Sequence, residues 1–321
     1  MTTIERVDPA TPAYDEWYAV YRSGHDRPFD QPYSYAEQRV NLTPDAYRDA
    51  IALLGRDADG IAVSAACAEL PLRDNREFAY VELVTSPPRR REGHGSAVLD
   101  ALVDLVRERG RTRLLAEITW GVGEDGEPAR RFARRHGFEA DLLDAIRELP
   151  LPATVPDLVL DRGYELRTWR GPCPPDLVDE YASLRHQMMQ QVPSGEAGLE
   201  GEFWDATRVR HDEEQWEQQD REAQVTVARH RETGRLAGHT QLVFPADDEV
   251  FQWDTLVLPE HRGHGLGLAL KVRTMEAAAD LLEGRRRITT YNAASNAHMI
   301  RVNEKLGFVQ TAWCEEVLRR L

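Results

Sequence analysis

The stretch that decides the fold is residues 256–267, which read LVLPEHRGHGLG. β-Forming residues end at Leu258, and a proline, an arginine and three glycines follow within the same stretch. From Leu268 onward, apolar residues recur three or four positions apart, which is the spacing of one helix face. The stretch therefore predicts a buried strand that passes through a tight glycine turn into the N-terminus of an amphipathic helix.

A junction of this kind suits an anionic ligand. The free N–H groups of a helix N-terminus point outward, and the helix dipole adds partial positive charge there. Glycines let a phosphate approach these amides, and Arg262 can add a bidentate contact. The stretch is not a Walker loop, which needs Gly-Lys-Ser/Thr, nor a dinucleotide fingerprint, which opens a βαβ unit. On a single copy, a tight turn without a ligand is an equal alternative.

A second copy of the pattern favours the ligand-binding alternative. Residues 84–95 read VTSPPRRREGHG, and the central glycines of the two copies lie 172 positions apart (265 − 93). A Gly-Phe pair follows each copy, at Gly137-Phe138 and at Gly307-Phe308. Repetition in a matched context predicts two equivalent domains.

We expect the first domain to cover residues 1–150 and the second to cover residues 161–321. A proline-rich linker over residues 151–160 separates them, because the three prolines within PLPATVP, residues 150–156, favour an extended connector. Each domain is predicted to contain an opening strand, helices, further strands, the glycine turn with its helix, and a final strand–helix–strand segment. One helix is expected over Pro44–Leu54. The fold class is therefore α/β, or layered α+β, occurring twice.

Charge and composition exclude several classes of protein. The 321 residues include 55 Asp and Glu against 40 Lys and Arg, a net charge of −15, which disfavours nucleic acid as a partner. No stretch approaches the roughly 20 apolar residues of a membrane helix, and Met1–Ala10 contains charges but no apolar block. Scattered cysteines at Cys67, Cys173 and Cys314 fit a reducing compartment. We expect a cytoplasmic protein that binds neither membrane nor nucleic acid.

A metal site is not expected. The histidines beside the glycine turns, His94, His261 and His264, have no partner at the spacing that zinc motifs use on a helix.

These motifs resemble the GNAT superfamily of N-acetyltransferases in a tandem arrangement. The family's loop pattern matches Arg262–Gly267 and Arg90–Gly95, and its later helix–strand segment matches Asn296 with Gly307-Phe308. The resemblance implies two GNAT-like domains, each with a mixed, mostly antiparallel sheet flanked by helices. It also implies acetyl-CoA as co-substrate and acetyl transfer to the primary amine of a small molecule by direct attack on the thioester.

The resemblance implies which residues contact the cofactor. The glycine turn would hold the pyrophosphate, the strand before it would pair with the pantetheine arm, and the Val257 N–H would polarise the thioester carbonyl. In the second copy the implied residues are Leu256, Val257, Leu258, Arg262, Gly263, His264, Gly265, Leu266, Gly267, Asn292, Asn296 and Asn303. In the first copy they are Val84, Arg90, Arg91, Gly93, His94, Gly95 and Ser96.

Acetyl transfer to an amine also needs a base and benefits from an acid. Asp254 lies eight residues before Arg262, as Glu82 does before Arg90, and we take Asp254 as the candidate base. Glu249 and Glu117 are further candidates, and an ion-paired carboxylate without catalytic role is the alternative for each.

The acid is where the sequence departs from the family. The tyrosine that many members use as the acid is replaced by Asn303 in the second copy and by Ala133 in the first. Tyr291 is a candidate substitute, with a packed aromatic ring as the alternative.

The two copies are not equal. The first has Gly126 in place of Asn296 and Arg91 in place of Gly263, so we expect the second domain to be catalytic and the first to be degenerate. Acidic residues between 195 and 217, with Trp204 and Trp216 among them, suit a cationic acceptor or, alternatively, form a solvated helix face with packed tryptophans. A non-catalytic acyl-CoA sensor and an enzyme for longer acyl donors stay open, and no motif specifies the acceptor or the oligomeric state.

Overall fold

A computed structural model describes residues 1–191 and 195–321. Within these residues the chain forms two compact units. Unit 1 contains residues 1–143, 195–199 and 312–321, and unit 2 contains residues 144–191 and 200–311. None of the helices in the described residues is long and apolar enough to cross a membrane.

Unit 1 is a sheet flanked by helices. Its strands, in the order in which they pair, are β1 (Thr3–Arg6), β2 (Arg48–Arg56), β3 (Ala62–Pro71), β4 (Phe78–Thr85), β5 (Arg113–Gly121) and β12 (Val309–Arg320). Its helices are α1 (Ala13–Gly24), α2 (Tyr35–Asn41), α3 (His94–Glu108) and α4 (Glu127–Arg135). Neighbouring strands are antiparallel except β4 and β5, which are parallel.

Unit 2 repeats this plan. Its strands pair in the order β6 (Glu139–Pro150), β11 (Arg287–Ala293), β10 (Glu249–Val257), β9 (Leu236–Phe244), β8 (Glu222–His230) and β7 (Tyr164–Arg170). Its helices are α5 (Val178–Gln191), α6 (Ala206–Gln218), α7 (Leu266–Ala277), α8 (Ala279–Leu282) and α9 (Ala297–Leu306). Only β10 and β11 are parallel among the pairs described.

The sheet of each unit has a hydrophobic core on both faces. In unit 2, Val272 and Met275 of α7 pack with Ile288 and Phe308 on one face. On the other face, α5 and α6 bury Tyr181 and two tryptophans against β8, β9 and β10. Helices on both faces leave the strand edges and the strand ends as the places where a ligand can reach the backbone.

The helix predicted over Pro44–Leu54 is wrong, because this segment contains β2. Its apolar side chains alternate between two cores: Ile51 and Leu53 face α3, and Leu54 faces α1. A strand buried on both faces reads as a continuous apolar run, which helical spacing also matches.

β12, the last strand of the second half of the chain, completes the sheet of unit 1. β6, the last strand of the first half, completes the sheet of unit 2. β12 pairs antiparallel with β5 from Ala312↔Gly121 to Arg320↔Arg113, and β6 pairs with β11 from Asp144↔Ala293 to Pro150↔Arg287. The compact units therefore differ from the chain ranges 1–150 and 161–321 at these strands. The two final strands have equivalent places in the two repeats, so either can complete a sheet of this plan.

Candidate active site

The opening between β10 and β11 is the main feature of the site. The parallel register covers only Glu249–Phe251 with Arg287–Thr289. After Phe251, β10 has a bulge in its pairing with β9 and continues to Val257 without a described partner on the β11 side. A bulge bends a strand, which accounts for the divergence here. An extended ligand can therefore lie along the free side of β10.

The backbone of Val257 faces this opening. Leu258 N–H donates to Ala237 O at 2.9 Å, and hydrogen-bonded pairs alternate along an antiparallel ladder. The N–H and C=O of Val257 therefore point away from β9. Its carbonyl oxygen accepts a hydrogen bond from Arg262 Nε at 3.2 Å. The Val257 N–H points away from β9, as is required of the predicted donor to the thioester carbonyl oxygen.

The glycine turn at the end of β10 forms an open cradle. Gly263 and Gly265 have φ values of 88° and 72°, in the left-handed region, and Gly265 is the N-cap of α7. A Cβ atom at Gly263, Gly265 or Gly267 would meet no other atom within 4 Å. Leu266 is buried and anchors the first turn of α7. The space beside these glycines at the helix start is therefore open, which suits the approach of a pyrophosphate to the turn.

In unit 1 the same backbone is present. Ser86 N–H donates to Val63 O at 2.9 Å, and Arg90 Nε donates to Thr85 O at 3.1 Å. Thr85 is therefore the counterpart of Val257. Val84, named by the sequence, precedes it and corresponds to Leu256.

The side chains of the unit 1 turn are engaged within the unit. Arg90 forms a fork with Asp26, at 2.9 and 3.3 Å, and donates to Gly24 O at 2.9 Å. Arg91 has a φ of 72° where unit 2 has Gly263. His94 shares a hydrogen bond with Thr2, and Ser96 shares one with His136. By contrast, His264 pairs with Asp161 at 2.8 Å and stays exposed.

Asp254 belongs to a half-buried charge cluster. Its Oδ2 lies 3.3 Å from Arg185 Nε, and Asp212 Oδ2 lies 3.3 Å from Arg185 Nη1. Burial raises the pKa of Asp212 even though Arg185 opposes this shift. The Arg185 guanidinium thus contacts two carboxylates, and the charge of Arg208 also acts to lower the pKa of Asp212.

The tryptophans near this cluster, Trp204 and Trp216, are packed, which was the alternative interpretation of the sequence. The Arg185 guanidinium lies 3.9 Å from the Trp204 ring centre, and that of Arg208 lies 4.8 Å from it. Trp216 meets Trp253 edge to face at 5.8 Å. The cations that Trp204 contacts therefore come from the chain itself.

His239 is a residue that the sequence did not single out. It is fully buried on β9 opposite Leu256, and burial lowers its pKa to about 4, so the ring is neutral at pH 7. Neither ring nitrogen has a hydrogen-bond partner in the residues that the structure covers. The ring lies 5.5 Å from Tyr181, whose hydroxyl donates to Gln241. The polar run His239–Gln241 inside an apolar strand was the available signal.

The position of the missing tyrosine contains a buried polar chain. Asn303 Nδ2 donates to Asn292 Oδ1 at 2.7 Å, and Asn303 Oδ1 accepts from Lys271 Nζ at 2.8 Å. Lys271 is 1% exposed, and burial lowers its pKa from 10.5 to about 7. Tyr291 is exposed and lies on the other face of β11 from Asn292, because successive side chains alternate. The sequence missed Lys271 because a lysine beside an apolar helix face is normally solvated.

The remaining candidates have structural partners. Glu249 binds Arg286 and Arg287 at the far end of β10 from the glycine turn. Glu82 pairs with His25 at 3.0 Å, and Glu117 lies opposite Glu316 in the sheet. Asn296 is the N-cap of α9 and accepts from Met299 N–H. In residues 1–191 and 195–321, no group of three or more His, Cys, Asp or Glu side chains could hold a metal ion.

Comparison with known proteins identifies the family. The sequence profile of the Acetyltransferase (GNAT) family matches residues 14–138 and 196–308, one match in each half of the chain. Mycothiol acetyltransferase of Geodermatophilus obscurus is 31% identical over 244 residues, which cover 73% of this chain and 71% of that protein. The chain therefore belongs to the GNAT family of acetyltransferases.

Solved structures match the fold along the whole chain. A tandem GNAT protein from the clavulanic acid biosynthesis pathway, determined without acetyl-CoA, has a TM-score of 0.84 at 24% identity, over 100% of this chain and 98% of that one. A GCN5-related N-acetyltransferase from Sphaerobacter thermophilus has a TM-score of 0.68 at 16% identity, over 99% and 95% of the two chains. The predicted fold class, two GNAT repeats with mixed sheets flanked by helices, is confirmed.

Replacing Lys271 should stabilise the protein at low pH. The pKa of Lys271 in the folded state lies below the unfolded value of 10.5, so protonating this residue destabilises the folded state. This loss of folding free energy is fully present below about pH 7. The cost fades as the pH rises from 7 toward 10.5. K271M should therefore be about 2 kcal/mol more stable than the wild type at pH 6, after the loss of one buried hydrogen bond, and this advantage should shrink by pH 9.5. Urea unfolding at both pH values measures this. A variant less stable than the wild type at pH 6 would show that burying the Lys271 charge does not destabilise the folded state.

Proposed function

We propose that this chain is an acetyl-CoA-dependent N-acetyltransferase that acetylates the primary amine of a small molecule, with unit 2 as the catalytic unit and unit 1 as a degenerate copy. The observation that supports donor binding best is the outward Val257 N–H beside an open glycine turn, and the assignment to unit 2 rests on Gly263, where unit 1 has Arg91. The names of two relatives, a mycothiol acetyltransferase and a protein of clavulanic acid biosynthesis, favour a small-molecule acceptor.

In this proposal the residues of unit 2 bind and orient acetyl-CoA. The amides of Gly263–Leu266 and the Arg262 guanidinium hold the pyrophosphate. The free side of β10 from Leu256 to Leu258 pairs with the pantetheine arm. The Val257 N–H donates to the thioester carbonyl oxygen and stabilises the negative charge that develops there. Acetyl-CoA supplies the activated acyl group.

Asp254 is the proposed base, directly or through a water. It takes one proton from the ammonium form of the acceptor, while Arg185 holds the carboxylate in place. The free amine forms the new C–N bond, the C–S bond breaks, and its electron pair goes to sulfur. The nitrogen loses a second proton as the amide forms, and one proton converts the thiolate to a thiol, so the protons balance. The products are thus an amide and coenzyme A.

Two further proposals concern the cellular compartment and a second candidate function. We place the protein in the cytoplasm, because its three cysteines are buried and no disulfide joins them in the described chain. We treat a non-catalytic acyl-CoA-binding protein as the second candidate, because Asn303 stands in place of the family's tyrosine. Thiol release with a panel of amines and of acyl donors separates the candidates: binding without turnover on any amine would favour the second.

Replacing Gly265 should abolish binding of coenzyme A. In G265V, a branched side chain enters the cradle and the residue keeps a φ of 72°, so the amides are blocked. G93V is the matched control, since Gly93 has a φ of 91° and equally open surroundings. The rise in Tm on adding coenzyme A should vanish in G265V and persist in G93V. Equal loss in both variants would contradict the assignment of unit 2.

Replacing Asp254 should slow catalysis without weakening binding of the donor. D254N keeps the shape of the side chain but cannot take a proton, so kcat should fall about 100-fold or more while the Kd for acetyl-CoA stays unchanged. D212N is the control, because Asp212 contacts the same Arg185 but is not the proposed base. Steady-state kinetics with the best amine of the panel measures both. The base is assigned wrongly if D254N keeps its kcat or if D212N loses more.

A further inference from the structure

The chain Lys271–Asn303–Asn292 has a fixed hydrogen-bond direction. An ammonium group only donates, so Asn303 must turn its carbonyl oxygen to Lys271 and its NH₂ group to Asn292. Asn292 in turn must present its own carbonyl oxygen to Asn303. The NH₂ group of Asn292 therefore points away from Asn303. A lysine inside the unit thus determines which end of the Asn292 carboxamide is turned away from Asn303.

Asn292, which carries this donor, lies at the opening of the sheet. Asn292 is on the part of β11 beyond Thr289, where the pairing with β10 has ended. Asn303, which links it to Lys271, has the sequence position at which many family members have a tyrosine. The chain of three side chains thus ends beside the space into which the thioester end of the donor would extend.

Packing does not account for Lys271. It is 1% exposed, its Nζ has one acceptor among the side chains described, and the Phe308 ring is 5.8 Å away. No carboxylate contributes to the shift of its pKa, which desolvation alone causes. A methionine would fill similar space without burying a charge. A costly buried group next to a candidate site points to a role in that site.

We propose that Lys271 is a positioning residue that acts through Asn303 to direct the Asn292 N–H toward the sulfur of coenzyme A. The inference rests on the proposed function. Lys271 keeps its proton throughout. When the C–S bond breaks and its electron pair moves to sulfur, the oriented N–H and the nearby ammonium stabilise the thiolate until it takes up the proton released by the amide nitrogen. The three residues together replace the family's tyrosine as thiolate stabiliser.

The test compares two ligands, coenzyme A and desulfo-coenzyme A, which lacks the sulfur. Titration calorimetry at pH 6, where Lys271 is mostly protonated, should show the wild type binding coenzyme A about fivefold more tightly, the gain expected for one hydrogen bond to a neutral thiol sulfur. In K271M this ratio should fall to about one while the affinity for desulfo-coenzyme A is unchanged and Tm rises. K305M, at the other lysine of the chain, should behave like the wild type. In N292A the ratio of the two affinities should also fall to about one. This variant provides the test if K271M fails to fold.

The outcomes separate the two levels of the proposal. If the wild type binds neither ligand, the proposed function is wrong. If it binds both equally, or if K271M and N292A keep the ratio of about five, the role of Lys271 is wrong and the proposed function stands. A lower Tm in K271M with an unchanged ratio would make Lys271 a purely structural residue.

Discussion

The early divergence of β10 from β11 determines the rest of the site. Buried backbone N–H and C=O groups need hydrogen-bond partners, and an open strand edge leaves them without the usual ladder. In unit 2 the side chains satisfy the carbonyl groups along this edge: Thr290 donates to Gln252 O, and Arg262 donates to Val257 O. The outward Val257 N–H is left for a ligand. The same divergence makes room for Asn292 and the polar chain behind it.

The two units share a backbone and differ in what their side chains contact. Both turns have a left-handed residue before a left-handed glycine N-cap, and both have an arginine bonded to the preceding strand. In unit 1 the arginine is also held by Asp26 and by a carbonyl at the end of α1. A phosphate would have to displace this ion pair. The backbone of the turn is therefore shared by both copies, while the residues that contact it differ.

The sequence predicted the features that depend on local chemistry. The glycine turn, the helix after it and the strand before it follow from conformational freedom and periodicity, and the structure contains all three. It could not separate β2 from a helix, because burial on both faces removes the alternation. It could not reveal that β12 completes unit 1, since strand pairing is non-local. Arg185, His239 and Lys271 were missed for a related reason: their burial depends on helices and strands far apart in the chain.

Hydrogen exchange of single amides with coenzyme A present tests the central claim most directly, because the claim concerns named backbone N–H groups. Saturating coenzyme A should slow exchange at Val257 and at Gly263–Leu266, and should leave Thr85 and residues 91–94 unchanged. Slowed exchange at the unit 1 turn instead, or an unchanged rate at Val257 with the ligand bound, would contradict the account.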